Sequence, residues 1–240
     1  MTPDTLGDRM KEYEQVTKVK LVRRMPAIIR LDGRAFHTFT RNLVRPYDAI
    51  FGRVMMATSL ELVRTIQNAV FAYSQSDEIS ILMLDYKNKD TQAWLGSQVQ
   101  KIVSLSAAIC STLFQQHFFS TYPKNGFPPL PVFDSRVFSI PESDVVNYFI
   151  WRQQDAERNS INSLAQSLFS HAELQGRKRE EVLSMLTSIG VEWGEAPVPQ
   201  KRGFSVTSII NPETEHRVFQ VDEDMPILVQ DRDYICQYFR

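Results

Sequence analysis

Two acidic stretches carry the chemistry this sequence offers. The first closes an apolar run, Ile28-Ile29-Arg30-Leu31-Asp32, and is followed at once by Gly33; the second is Asp77-Glu78, which again stands between apolar runs. A short Ile- and Leu-rich run stopped by glycine reads as a buried strand whose last residue reaches the sheet's edge. Two acids at adjoining strand ends can share a divalent cation, and Mg²⁺ typically takes only one or two protein carboxylates plus phosphate oxygens. Asp32 and Asp77 meet that demand. Gly33 lets a phosphate approach the backbone, while Arg34 and His37 can meet its charge. With two cations, one activates an attacking oxygen and the other holds the triphosphate, which is the chemistry of nucleotidyl transfer. Plainer readings stay open: Asp-Gly after a strand is also an ordinary turn, and Ser-Asp-Glu is also a solvated hairpin tip. His37 can equally be structural, and His117, His171 and His216 lack metal-ligand spacing.

The elements that position these acids follow from periodicity. Phe51, Val54, Met55, Thr58, Leu62 and Ile66 recur at helical spacing, predicting an amphipathic helix over about 47–67 with Pro46 in its first turn. Ala69 to Tyr73 and Ile79 to Leu84 read as a hairpin with an acidic tip. A long helix over about 92–119, a Pro/Gly-rich loop from Tyr122 to Pro131 and a strand from Val132 to Ile140 complete the order β-α-β-β-α-β. This is the ferredoxin-like α+β arrangement, an antiparallel sheet with helices on one face, in which the first strand and the hairpin are neighbours. Asp32 and Asp77 then meet across the intervening helix. The expected organisation is a palm-like catalytic domain over 1–140 and an α-rich extension over 141–240 packed upon it. Helices are expected from Val145 to about Ser170 and from Arg177 to about Ile189, followed by a mixed tail with apolar runs at 204–210 and 227–229.

Composition narrows the rest. A net charge of −1 gives no global basic field, so nucleic-acid binding needs local patches or an oligomer that gathers them. Lys18, Lys20, Arg23 and Arg24 form one such cluster before the first strand, read either as solvated surface or as a phosphate contact; Arg177-Lys178-Arg179 has the same two readings, and Lys201-Arg202-Gly203 can be a simple turn. Cys110 and Cys236 lie far apart without ligand spacing, which fits a reduced compartment. No apolar run is long enough to span a bilayer, so a cytoplasmic protein without a membrane partner is expected.

Leu31 to His37 closely resembles the R-[IL]-D-G-R-x-F-H motif of the tRNA-His guanylyltransferase family, whose members run a polymerase-palm-like site in the 3′-to-5′ direction. Four further blocks agree in order. Arg45 to Asp48 is similar to K-P-N-D, Ala72 to Glu78 to A-Y-G-Q-S-D-E, Phe133 to Val137 to F-D-G-R-V, and Trp151 to Asp155 to W-R-Q-x-D. The resemblance implies that Asp32, the Gly33 carbonyl and Asp77 bind two Mg²⁺ ions. It implies that Asp32, Gly33, Arg34, Ala35, Phe36 and His37, with Ser76 and Asp77, hold an incoming nucleotide. Glu78 would support the metal site, and Lys101 and Arg136 would meet phosphate. Family members activate a tRNA 5′-monophosphate with ATP or GTP and then let the 3′-hydroxyl of an incoming nucleotide attack it; they are commonly homotetramers. One departure is informative: where eukaryotic members carry H-I-N-N-L-Y-N, this chain has Glu157 to Ser163, with Glu157 replacing the histidine. That resembles the bacterial-type branch and implies templated 5′-end repair of tRNA rather than non-templated G addition. A palm-type nucleotidyl cyclase and a catalytically silent tRNA-binding module are the alternatives.

Overall fold

A computed structural model describes residues 5–122, 130–210 and 217–239. Helix α1 (Leu6–Gln15) buries none of its residues and opens on a Thr5/Asp8 capping box. Strand β1 (Ala27–Gly33) leads through the one-turn α2 (Phe36–Phe39) to α3 (Ala49–Thr65), then to the hairpin β2 (Ala69–Gln75) and β3 (Glu78–Met83). Helix α4 (Val99–Thr121) returns the chain to β4 (Phe133–Ser139), and α5 (Glu142–Leu168) follows. After α6 (His171–Leu174), α7 (Arg179–Ser188) and α8 (Val198–Arg202), the chain adds β5 (Phe204–Ile210), β6 (Arg217–Asp222) and a final turn, α9 (Asp233–Cys236).

The six strands form one antiparallel sheet in the order β4-β1-β3-β2-β5-β6. The expected β-α-β-β-α-β order holds for the first four strands, and β1 lies between β3 and β4 with Asp32 opposite Glu78 on one side and Asp134 on the other. Strand alternation explains what each face buries. Ile29 and Leu31 of β1 join Ile79 and Ile81 of β3 under α3 and α4, whose Met55, Leu62, Phe114 and Phe118 complete that core. Ile28, Tyr73 and Leu82 point the other way, against Val145 and Phe149 of α5 and against Met225, Leu228 and Ile235 of the tail. The sheet is thus covered on both faces. Helix α4 is long and apolar enough to cross a membrane by length and composition, and here its apolar side packs on the sheet.

Several boundaries differ from expectation for local reasons. Helix α3 starts at Ala49 because Asp48 caps it, its Oδ1 accepting from the amides of Ile50 and Phe51 at 2.9 Å; Pro46 precedes the cap in a cis peptide. Helix α4 starts at Val99, because Leu95, Gly96 and Ser97 are left-handed and confine Trp94–Ser97 to a 3₁₀ turn. In the tail the apolar run at 204–210 becomes β5, hydrogen-bonded to β2, whereas 227–229 is a turn. The basic cluster is not beside Asp32. It precedes the opposite end of β1, roughly 15 Å or more away at ~3.3 Å per strand residue, where the Arg23 side chain and the Arg24 amide engage Asp85. His216 and most of the Tyr122–Pro131 loop lie outside the described residues.

Candidate active site

The acidic corner is built from a strand end and a hairpin turn laid side by side. Between Gln75 and Glu78 the chain turns in two residues, Ser76 and Asp77, with Ser76 left-handed at φ 50°. The Gly33 amide donates to the Asp77 carbonyl at 3.1 Å, tying β1's end to this turn. Gly33 is required by the close approach. A Cβ there would stand 2.7 Å from Asp77 Oδ2 and 2.4 Å from the Phe36 ring. The Phe36 ring is buried among Phe39, Phe51, Phe114 and Phe133, and the Arg34 amide donates to the Val132 carbonyl at 2.9 Å. The segment after Asp32 is therefore anchored on both sides, with Ala35 left-handed at φ 55°.

Asp77 is mostly buried, and that burial is the main reason its carboxyl is raised from an ordinary 3.8 to about 6. Its own amide opposes the shift, the charge of Asp32 adds to it, and the Ser76 hydroxyl, which donates at 3.1 Å, opposes it. Among the described residues no lysine or arginine forms an ion pair with Asp32 or Asp77; the Arg30 and Arg152 pairs nearby go elsewhere. Two close acids that face a cavity and hold no ion pair among the described residues make a donor set suited to Mg²⁺. Gly33 leaves the backbone beside them open.

Glu78 is placed differently from its neighbour. Arg152 of α5 grips it with Nε to Oε1 and Nη2 to Oε2, both at 2.7 Å, and Arg30 Nη2 reaches Oε2 at 2.6 Å. Glu78 and Arg152 are both buried, so this charge is fully matched. Arg152 also donates to Asp155 at 2.9 Å, and Gln153 donates to the Pro226 carbonyl and accepts from the Leu228 amide. The Trp151 to Asp155 block thus fastens α5 to the acidic hairpin and to the tail.

A cavity of about 700 Å³ opens from this corner. Of the sequence-predicted residues, Asp32, Phe36, His37, Ser76, Asp77 and Glu78 line it. Gly33, Arg34 and Ala35 lie beside it in the same loop, whereas Arg136 and Lys101 stand outside it, Arg136 exposed at 3.4 Å from Asp134. The remaining walls were not singled out from sequence. They include Tyr47, whose hydroxyl meets Ser160 at 2.6 Å, and Arg152, Asn159 and Lys201. Tyr47, Arg152 and Lys201 fall in blocks the sequence does display, Arg45 to Asp48, Trp151 to Asp155 and Lys201 to Gly203, and Asn159 and Ser160 fall in the Glu157 to Ser163 stretch that departs from the eukaryotic pattern. The Lys201 to Gly203 block is more than a turn: Gly203 at φ 80° brings β5 so near β2 that a Cβ would stand 2.4 Å from the Ser74 carbonyl. Glu157, at the departure from the eukaryotic pattern, faces Arg179 at 3.7 Å.

Comparison with known proteins agrees with this geometry. The chain superposes on a bacterial tRNA(His) guanylyltransferase (Thg1)-like protein in complex with ATP with a TM-score of 0.91 and 38% identity, covering 98% of this chain and 99% of that one. A GTP complex of such a protein gives 0.82 and 36%, with the same coverage. Uncharacterized protein R259 of Acanthamoeba polyphaga mimivirus is 27% identical over 83% of this chain and 76% of its own length. Against tRNA(His) guanylyltransferase 2 of Arabidopsis thaliana, identity is 27% over 75% of this chain, which spans 35% of that protein. The sequence profile of tRNAHis guanylyltransferase matches residues 7–141, more than half of the chain and the whole of the acidic corner, so this chain belongs to the tRNA-His guanylyltransferase family of nucleotidyltransferases.

Proposed function

We propose that the protein adds nucleotides to the 5′ end of tRNA in the 3′-to-5′ direction, templated by the opposite strand, after ATP or GTP activates the 5′-phosphate. The observation that carries this reading is the meeting of Asp32 and Asp77 at one corner of a cavity, with Gly33 giving the close approach between them. Asp32, Asp77 and the Gly33 carbonyl would hold two Mg²⁺ ions, which when bound neutralise triphosphate charge and lower the pKa of an attacking hydroxyl. The protein's own groups do the positioning. The buried Phe36 fixes the loop that carries Arg34 and His37 toward the triphosphate, and the Arg30–Glu78–Arg152 clamp holds the hairpin against α5 so that Asp77 keeps its place. Glu78 acts here as a positioning residue, its carboxylate occupied by two guanidiniums. Burial of Asp77 raises its proton affinity, so cation binding and proton release there are coupled.

Templated repair is favoured over non-templated addition of G to tRNA-His because Glu157 stands where the eukaryotic pattern has histidine. A nearly neutral subunit supports assembly into a homotetramer that gathers enough basic surface for tRNA, and the cysteine pattern supports action in the cytoplasm. The test is incubation with Mg²⁺, labelled nucleoside triphosphates and a tRNA lacking its first 5′ nucleotide. Extension by one complementary nucleotide, lost in Asp77→Ala, is the expected result. A cyclic nucleotide made without RNA, or tRNA binding without turnover, would refute it.

A further inference from the structure

We infer that Trp151 is a stacking platform for a base of the RNA whose 5′ end is presented to Asp32 and Asp77, an inference that rests on the reading above in taking RNA as the substrate. In the Trp151 to Asp155 block the other side chains with assigned contacts are spent inside the protein: Arg152 on Glu78, Gln153 on the tail backbone, Asp155 on Arg152 and Arg158. Trp151 is the outlier. It is 51% exposed, between Ile150 and Arg152, which are buried. Its orientation is nevertheless fixed. The Arg152 guanidinium lies 4.4 Å from its ring centroid, that of Arg30 5.9 Å, and the Tyr148 ring packs against it at 5.9 Å. A rigid aromatic ring loses little freedom when a base stacks on it, and such stacking is tolerant of sequence.

Charge on the same face favours a polyanion. Arg136 of β4 is the register partner of Arg30 and so shares its face of the sheet. It is exposed, and its 3.4 Å contact with the equally exposed Asp134 is too weak to withhold it from a phosphate. Trp151, Arg30 and Arg136 thus line a path from the open edge of the sheet toward Asp32. Trp151 does not line the cavity, and Arg152 stands between them. A base stacked there therefore comes from the RNA and not from a triphosphate whose phosphates lie at the acidic corner.

The test is equilibrium binding of a 5′-monophosphorylated tRNA lacking its first nucleotide, alongside ATP binding and urea unfolding, for wild type, Trp151→Phe and Trp151→Ala. The expected result is RNA affinity weaker by roughly tenfold or more in Trp151→Ala, recovered to within about threefold of wild type in Trp151→Phe as the smaller ring still stacks, with ATP affinity and unfolding midpoint held. Unchanged RNA affinity in Trp151→Ala would overturn the inference. So would a parallel loss of ATP affinity and stability, which marks a ring that only shields the Arg152–Glu78 pair, and so would the absence of RNA binding by wild type. RNA binding that depends on Trp151 without any extension would leave the stacking site standing and refute the polymerase reading alone.

Discussion

Replacing Asp77 by asparagine is expected to make the metal-free protein more stable while removing its activity. The folded carboxyl titrates near 6 against an ordinary 3.8, chiefly through burial. A group that holds its proton more tightly folded than unfolded favours the folded state below both values, and that advantage is lost as pH rises through the interval between them. At ~1.4 kcal/mol per pH unit the gap corresponds to about 3 kcal/mol, an upper limit because relaxation and water entry reduce it. The asparagine side chain has the same shape, keeps an oxygen for the Ser76 hydroxyl and never ionises. The stability difference between Asp77→Asn and wild type should therefore be near zero at pH 4, grow between pH 4 and 6, and level off by pH 7.5 at no more than about 3 kcal/mol.

Urea unfolding in EDTA across pH 4 to 8 measures this directly, provided the slopes of the two proteins agree. In thermal scans that upper limit is worth roughly 6–12 °C for a chain of this size. Adding Mg²⁺ at pH 7.5 should raise wild-type stability in proportion to the logarithm of one plus the ratio of free Mg²⁺ to its Kd, and move Asp77→Asn far less. Parallel pH curves for the two proteins, or a variant less stable than wild type at pH 7.5, would refute the assignment of the cost to a buried charge at this turn.

Gly33→Ala should cut nucleotide addition by about 100-fold or more, since its Cβ would displace the Asp77 carboxylate or the Phe36 ring and a shift of ~1 Å suffices for that; steady-state rates beside circular dichroism check it, and a loss under tenfold refutes it. Arg152→Met leaves buried Glu78 with Arg30 alone and should cost about 3–5 kcal/mol in urea unfolding, with much of the loss regained in Arg152→Met/Glu78→Gln. Asp48→Ala removes the α3 cap and the acceptor of the Tyr122 hydroxyl, and should lower stability by about 1–2 kcal/mol without abolishing activity.

The pairing of Asp32 with Asp77 was legible because each rests on a periodic signal: an apolar strand stopped by glycine, and two β-rich runs joined by a short polar tip. The helix between them recurs at helical spacing, and a crossover of that length returns the chain to the same sheet edge. Other features were hidden for identifiable reasons. The late start of α4 depends on left-handed Leu95 and Ser97, residue types that do not announce that conformation. The place of β5 beside β2 depends on Gly203, whose necessity shows only when Ser74 is alongside it. The basic cluster before β1 looked close to the site in sequence and lies at the far end of the strand in space.

Glu78 shows most clearly where adjacency in sequence misleads. Asp77 and Glu78 stand side by side in sequence and read as metal ligand and support of the same site, yet one occupies a turn and the other begins a strand, and the strand's alternation sends Glu78 to the α5 face beside Arg30. Its partner Arg152 comes from a distant part of the chain, so no local pattern could separate the two roles. The consequence is electrostatic. With Glu78 matched by Arg30 and Arg152, Asp32 and Asp77 are left at this corner without an ion pair among the described residues, and the clamp that neutralises Glu78 also fixes the turn on which Asp77 sits. Removing Arg152 would thus have two effects separable by experiment: a stability loss that Glu78→Gln relieves, and a displaced Asp77 that it does not. Activity in the double variant should accordingly stay below wild type even where stability returns.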